Sequence, residues 1–197
     1  MHFQPPYFTN PINNLLTLLT LLTLLTIQAS TNPILIPPSS LATSIESPTG
    51  AVRTYYQAFD SSIIELRPHF PASSGYTSLV LIPAGVAKLD TPLAAISCGS
   101  FDEIHLYYIS SAYNSTLLCE KIWNSDITGW IDGSLNSREY IVQTNTCLLT
   151  AYRDGITVDN STWRVAFVCS TGGTAVEGAL CEASKTVMRE WMMEAYV

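Results

Sequence analysis

Three glutamates in this 197-residue chain stand at the ends of short apolar runs, and each is preceded by a basic or imidazole side chain that opens a β-branched, aromatic run. Arg53 heads VRTYYQAFDSSIIE and Glu65 closes it; His105 lies in IHLYYISSAYNSTLLCE, which ends on Glu120; Arg164 lies in WRVAFVCSTGGTAVEGALCE, which ends on Glu182. An aromatic follows each glutamate: Tyr76 eleven residues on, Trp130 ten residues on and Trp191 nine residues on. A guanidinium donates a planar fork of hydrogen bonds and a carboxylate accepts two, so the pair can satisfy vicinal hydroxyls together. An indole adds one N–H at its edge and a flat apolar face that can cover the C–H side of a sugar ring. One such Arg–Glu pair would read as an ordinary ion pair on a strand. Three in register, each with its aromatic, point to small polar ligands with ring hydroxyls.

Positioning those side chains falls to hairpins. Each run reads as strand, turn, strand, with the first turn around Asp60, Ser61 and Ser62. An apolar segment precedes each later hairpin, LAAISC (Leu93 to Cys98) and CLLTAY (Cys147 to Tyr152), and the first strand is expected at Leu41 to Ile45. Each unit then holds four short strands: an apolar one, the Arg or His strand, the Glu strand and one opened by an aromatic. Self-similarity at this period, with four strands per unit, predicts an all-β chain of about three β-propeller blades of antiparallel strands. Ala183 to Glu194 is the one segment that composition would allow as a helix, and the repeat places strands there.

The N-terminal residues differ from the rest. Leu15 to Ile27 is a thirteen-residue apolar block followed by Gln28-Ala29-Ser30, too short to span a bilayer comfortably and shaped like a secretory signal over residues 1–29, although its first residues hold no Lys or Arg. Residues 30–48 are rich in Pro and Ser and read as a linker, leaving 49–197 for the repeats. A net charge of −7 with no basic cluster excludes nucleic acid and anionic membranes as partners.

Five cysteines at 98, 119, 147, 169 and 181 lack metal-ligand spacing, and three scattered histidines add none, so neither a metal nor another cofactor is expected. In an oxidising compartment Cys169 and Cys181, on the two arms of the third hairpin, are the first candidates for a disulfide. The sequons at Asn114 and Asn160 fall in turns and fit a secreted glycoprotein.

The stretches VRTYYQAFDSSIIE, TPLAAISCGSFDEIHLYY and CEKIWNSDITGWIDGSL resemble the blade motif of the fungal fucose-specific lectins of the Aleuria aurantia type. That family's pattern is an Ile-Arg-Val-Tyr strand, an Ile-x-Glu strand, a Trp-Asp-Gly turn and a Gly-Trp; here Asn124 stands where the motif has Asp. The resemblance runs from about Leu41 to the C-terminus and implies half of a six-bladed ring. It also implies sugar sites between blades, with Arg and Glu from one blade and two tryptophans from the next. One full set is present: Arg53 and Glu65 with Trp123 and Trp130, one indole donating its N–H and the other covering the sugar's methyl group. A second set is degenerate, with His105, Glu120 and Trp191, and with Lys185 where the turn tryptophan belongs. A third, Arg164 and Glu182, lacks a following blade in this chain and would face Tyr76 of another copy if two chains closed one ring.

These readings imply a secreted lectin for L-fucose or fucosylated glycans, without catalysis. Two other classes compete. A propeller that has lost its sugar sites would serve as a protein-interaction scaffold, and the departures at His105, Lys185, Cys98 and Tyr76 favour that. A glycosidase needs two carboxylates flanking one glycosidic bond, yet in the repeats each Glu stands with a cation or a His, and Asp132, Asp154 and Asp159 recur in no pairing.

Overall fold

A computed structural model of the chain describes residues 41–69, 75–111, 116–155, 161–170, 179–186 and 189–196. The apolar block and both sequon asparagines lie outside the described residues.

Among the described residues, twelve strands form three antiparallel sheets of four, each in chain order. The first sheet is β1 (Ala42–Glu46), β2 (Val52–Gln57), β3 (Ile63–Pro68) and β4 (Tyr76–Ile82). The second is β5 (Ala94–Cys98), β6 (Glu103–Ser110), β7 (Leu117–Asn124) and β8 (Gly129–Asp132). The third is β9 (Leu149–Asp154), β10 (Thr162–Cys169), β11 (Ala179–Thr186) and β12 (Met192–Tyr196). Among the described residues the only helical turn is a short 3₁₀ segment, Ser134–Arg138. The four-strand units predicted from the repeat are therefore present, with β11 and β12 occupying the segment that might have been helical. β1 lies within the Pro- and Ser-rich stretch, so that stretch contributes a strand from residue 42 onward. β1 contacts β5 and β5 contacts β9, so the leading strands of the sheets are neighbours, and the sheets fan outward from them.

Local chemistry sets the turns. Asp60 accepts bonds from the Ser62 backbone N–H at 3.0 Å and hydroxyl at 2.6 Å, and Ser61 takes the left-handed conformation at φ 67°. That Asx-type turn fixes the β2–β3 register, which pairs Tyr55 with Glu65.

The side-chain period of two decides which boundary each strand serves. Along β6, Ile104, Leu106 and Tyr108 join Tyr55, Ile63 and Ile82 in the core between the first two sheets. The alternate residues Tyr107 and Ile109 join Trp163, Val165 and Phe167 in the core between the second and third. β6 is buried on both faces, and apart from His105 its residues from Ile104 to Ile109 show no polar alternation. β10 instead alternates, with Trp163, Val165, Phe167 and Cys169 buried and Arg164, Ala166 and Val168 half-buried, so its second face is left open. Cys169 and Cys181 are joined by a disulfide, as the hairpin geometry suggested, with Cys98 buried and Cys147 exposed as free thiols.

Candidate functional site

The first boundary brings together the full set predicted from the sequence. β2 and β3 place Arg53 and Glu65 on one face, and β7 and β8 place Trp123 and Trp130 opposite, paired across those two strands. Arg53 donates to Glu65 Oε1 at 3.1 Å. Its guanidinium lies between two rings, 4.6 Å from the Trp123 centroid and 4.8 Å from that of Phe101. Trp130 meets Trp123 at 6.1 Å and Tyr55 edge-on at 5.9 Å.

Two roles differ from the expectation. The Trp123 N–H is committed to the Phe101 carbonyl at 3.1 Å, and its ring carries Arg53 and also Arg67, whose guanidinium carbon is 5.1 Å from the centroid. Trp123 is therefore a platform for guanidinium groups, held by cation–π attraction, and not a free donor. The indole N–H of Trp130 is buried with no partner, which makes it the available donor of the pair.

Arg67 is the member that the sequence reading missed. It stands two residues after Glu65 on the same strand, hence on the same face, and that spacing was the signal. Its Nε and Nη2 donate to Glu65 Oε2 at 2.9 and 2.7 Å. Tyr55 donates to Oε1 at 3.3 Å, and burial together with the neighbouring Glu65 charge pushes the Tyr55 phenol above its ordinary range. Glu65 is fully buried and its four acceptor positions are filled, two by Arg67, one by Arg53 and one by Tyr55. Arg67 is the exposed partner, at 36% against 11% for Arg53, and it lines a shallow cleft of about 290 Å³ with Thr77, Ser78 and Leu79. Phe101 had no local signal; it reaches the site from a turn where it adopts φ 68°.

At the second boundary the predicted set is divided. His105 bonds Glu120 Oε1 through Nδ1 at 2.6 Å and Glu103 through Nε2 at 3.0 Å. Trp163 of the third sheet stacks on the imidazole, so His105 and Glu120 are sealed from solvent. Burial pulls the His105 pKa down, but the bonds and charges of the two carboxylates outweigh it and hold it above the ordinary value. Glu120 Oε2 accepts the Leu135 N–H at 3.3 Å and sits where a side chain on Gly133 would be. Trp191 does not join them; it packs edge-on against Tyr107 and lines a separate cleft with Lys185. His105 and Glu120 thus lie together but closed to solvent, with Trp191 apart from them, at the boundary where the sequence pointed to weak or absent sugar binding.

On the open face of the third sheet Arg164 donates to Glu182 at 2.5 Å and to Asp154 at 2.9 Å, and the Tyr152 hydroxyl donates to Glu182 at 2.5 Å. Burial works to raise the Glu182 pKa, but the bonds from Tyr152, Arg164 and Tyr196 bring it below the usual value. Tyr76 stands on β4 in the first sheet, so within one chain it takes no part in this cluster. Of the carboxylates weighed for glycosidase chemistry, Asp132 is held by Lys121 at 2.7 Å and Asp154 by Arg164, while Asp159 lies outside the described residues.

No protein-family model matches the sequence, and no curated protein matches it. Solved structures do. AofleA from Arthrobotrys oligospora superposes with a TM-score of 0.65 at 23% identity, over 81% of this chain and 42% of that one. The Aleuria aurantia lectin, described as a six-bladed β-propeller with a fucose recognition mode, gives 0.63 at 22% identity, over 84% of this chain and 50% of that one. The SapL1 lectin in complex with α-methyl fucoside gives 0.62 at 19% identity over 82% and 50%. This chain thus has the β-propeller fold of those structures and spans about half their length.

Proposed function

We propose that the protein is a secreted lectin that binds L-fucose or fucosylated glycans at the boundary between its first and second sheets and performs no chemistry on them. The observation that carries this reading is the meeting of Arg53 and Glu65 with Trp123 and Trp130 across one sheet boundary, with the Trp130 N–H buried and unpartnered. Structures of the same fold include the Aleuria aurantia lectin, with its fucose recognition mode, and the SapL1 lectin in complex with α-methyl fucoside. Export is supported by the apolar block at Leu15 to Ile27 and by the Cys169–Cys181 disulfide.

In this mechanism Glu65 orients the Arg53 guanidinium, whose remaining N–H donors face ring hydroxyls, and Trp130 supplies a further donor. Arg67 acts as the removable partner: leaving Glu65 Oε2 frees two acceptor positions for the sugar. A glycan array read with the wild type beside Arg53→Ala tests the assignment. Fucosylated spots should light with the wild type and fade in a folded Arg53→Ala protein; equal signals would refute it.

Two observations favour a second reading, a propeller kept as a protein-interaction scaffold. Glu65 has every acceptor position filled from within the chain, and His105 with Glu120 is sealed. A wild type silent on all fucosylated spots would select that reading.

The open face of the third sheet, with Arg164, Glu182 and Tyr152, is the surface to which the first sheet of a second copy would add its Tyr76 to complete a ring. Light scattering at the mass of two chains is the expected result.

A further inference from the structure

We propose that the cleft between the second and third sheets binds an anionic saccharide, a sugar ring carrying a carboxylate or a sulfate. The inference rests on the lectin reading and assigns a different ligand chemistry to the second boundary. The cleft holds about 480 Å³, within the roughly 300–1,000 Å³ of small-molecule sites.

Its lining carries three cations, Arg138, Lys185 and Arg189, against one carboxylate, Glu190. Only Arg138 is neutralised, by its ion pair with Glu190. Lys185 Nζ bonds the uncharged Ser134 hydroxyl at 2.8 Å, and Arg189 has no side-chain partner among the described residues. A positive excess in one cleft of a chain with net charge −7 is a local arrangement, since the long-range field of the molecule repels anions.

The contrast with the first boundary explains why the ligand should bring the charge. There Arg53 and Arg67 both pair with Glu65, so neither cation is left without an acid. Here the corresponding Glu120 is bonded to His105 and shielded behind Gly133, leaving Lys185 and Arg189 without an acid. Trp191 supplies a donor: it borders the cleft and, at 3% exposure, has a buried indole N–H with no partner. The hydroxyls of Ser134 and Ser137 line the same wall and suit the neutral hydroxyls of a sugar.

Calorimetric titration of the full chain tests this with five probes: methyl β-D-glucuronide, galactose 6-sulfate, methyl β-D-glucoside, inorganic sulfate and methyl α-L-fucoside. One of the two anionic sugars should bind about tenfold or more tightly than the neutral glucoside and inorganic sulfate, and the better of the two identifies the anion. Lys185→Ala and Arg189→Ala should each weaken it about tenfold, as expected for loss of one charge-assisted bond, with fucoside binding unchanged. Arg53→Ala should do the reverse. Fucoside binding without either anionic sugar would overturn this inference alone. Anionic sugar without fucoside would overturn the reading of the first boundary alone, and silence to all three sugars would overturn both. Inorganic sulfate binding as tightly as the sugars would show an anion site that reads no saccharide, and that also overturns the proposal.

Discussion

The imidazole of His105 lies on the indole of Trp163 with centroids 3.9 Å apart and planes 25° from parallel. This stack joins the second sheet to the third, and Glu103 and Glu120 grip the two ring nitrogens from their own sheet. Because the two carboxylates hold the folded His105 pKa above 6.5, the imidazolium form stabilises the fold. That contribution is complete below the unfolded value and is lost as pH rises through the folded one. Denaturant midpoints should therefore fall as pH rises from the unfolded value of about 6.5 through the higher folded one, and His105→Gln should flatten that slope. Trp163→Ala should cost about 3–5 kcal/mol in the same measurement, as for other large core truncations.

Arg53 and Arg67 hold the same carboxylate, and their replacements should act in opposite directions on sugar binding. Arg53→Ala removes a buried donor and one of the two guanidinium groups on Trp123, so binding of methyl α-L-fucoside should disappear. Arg67→Ala releases Glu65 Oε2 from an exposed partner. Given the roughly 0.2–1 kcal/mol of an exposed ion pair, affinity should rise, up to about fivefold. Titration of both variants beside the wild type checks the two signs together.

Gly133 has no space for a side chain, because a Cβ would sit 2.0 Å from Glu120 Oε2. The carboxylate cannot simply swing away, being buried and bonded to His105 and the Leu135 N–H. Gly133→Ala should destabilise the fold by about 1–3 kcal/mol, the range for overpacking. Shortening the acid as well, in Gly133→Ala with Glu120→Asp, should recover part of that loss in chemical denaturation.

The Cys169–Cys181 disulfide closes a loop across a sequence separation of 12. Replacing both cysteines with alanine should lower stability by about 2–4 kcal/mol, read as a shift in denaturant midpoint. Thiol labelling of the native wild type should modify Cys147 and spare buried Cys98.

Much of the architecture was legible because period-two patterning and a repeated Arg–Glu–aromatic spacing are local signals. The boundary that joins Arg53 to Trp123 was implied by the resemblance to the lectin blade motif and not by spacing within the units. Arg67 was legible in principle, two residues from Glu65, but it falls outside the repeated positions and was passed over. The fate of His105 was not legible. Its partner across the boundary, Trp163, precedes the repeated Arg164 by one residue and so points to the opposite face of β10, toward the second sheet. Whether an imidazole lies open or capped depends on how two sheets approach, and no spacing within one sheet records that. The same holds for the Trp123 N–H, whose partner is a carbonyl in a turn.

Since Ile104, Leu106 and Tyr108 serve one core while Tyr107 and Ile109 serve the other, neither interior can be dismantled without exposing the back of the same strand. The outer sheets are thus tied to a common keel, and melting followed by tryptophan emission and by far-ultraviolet dichroism should trace one curve instead of three.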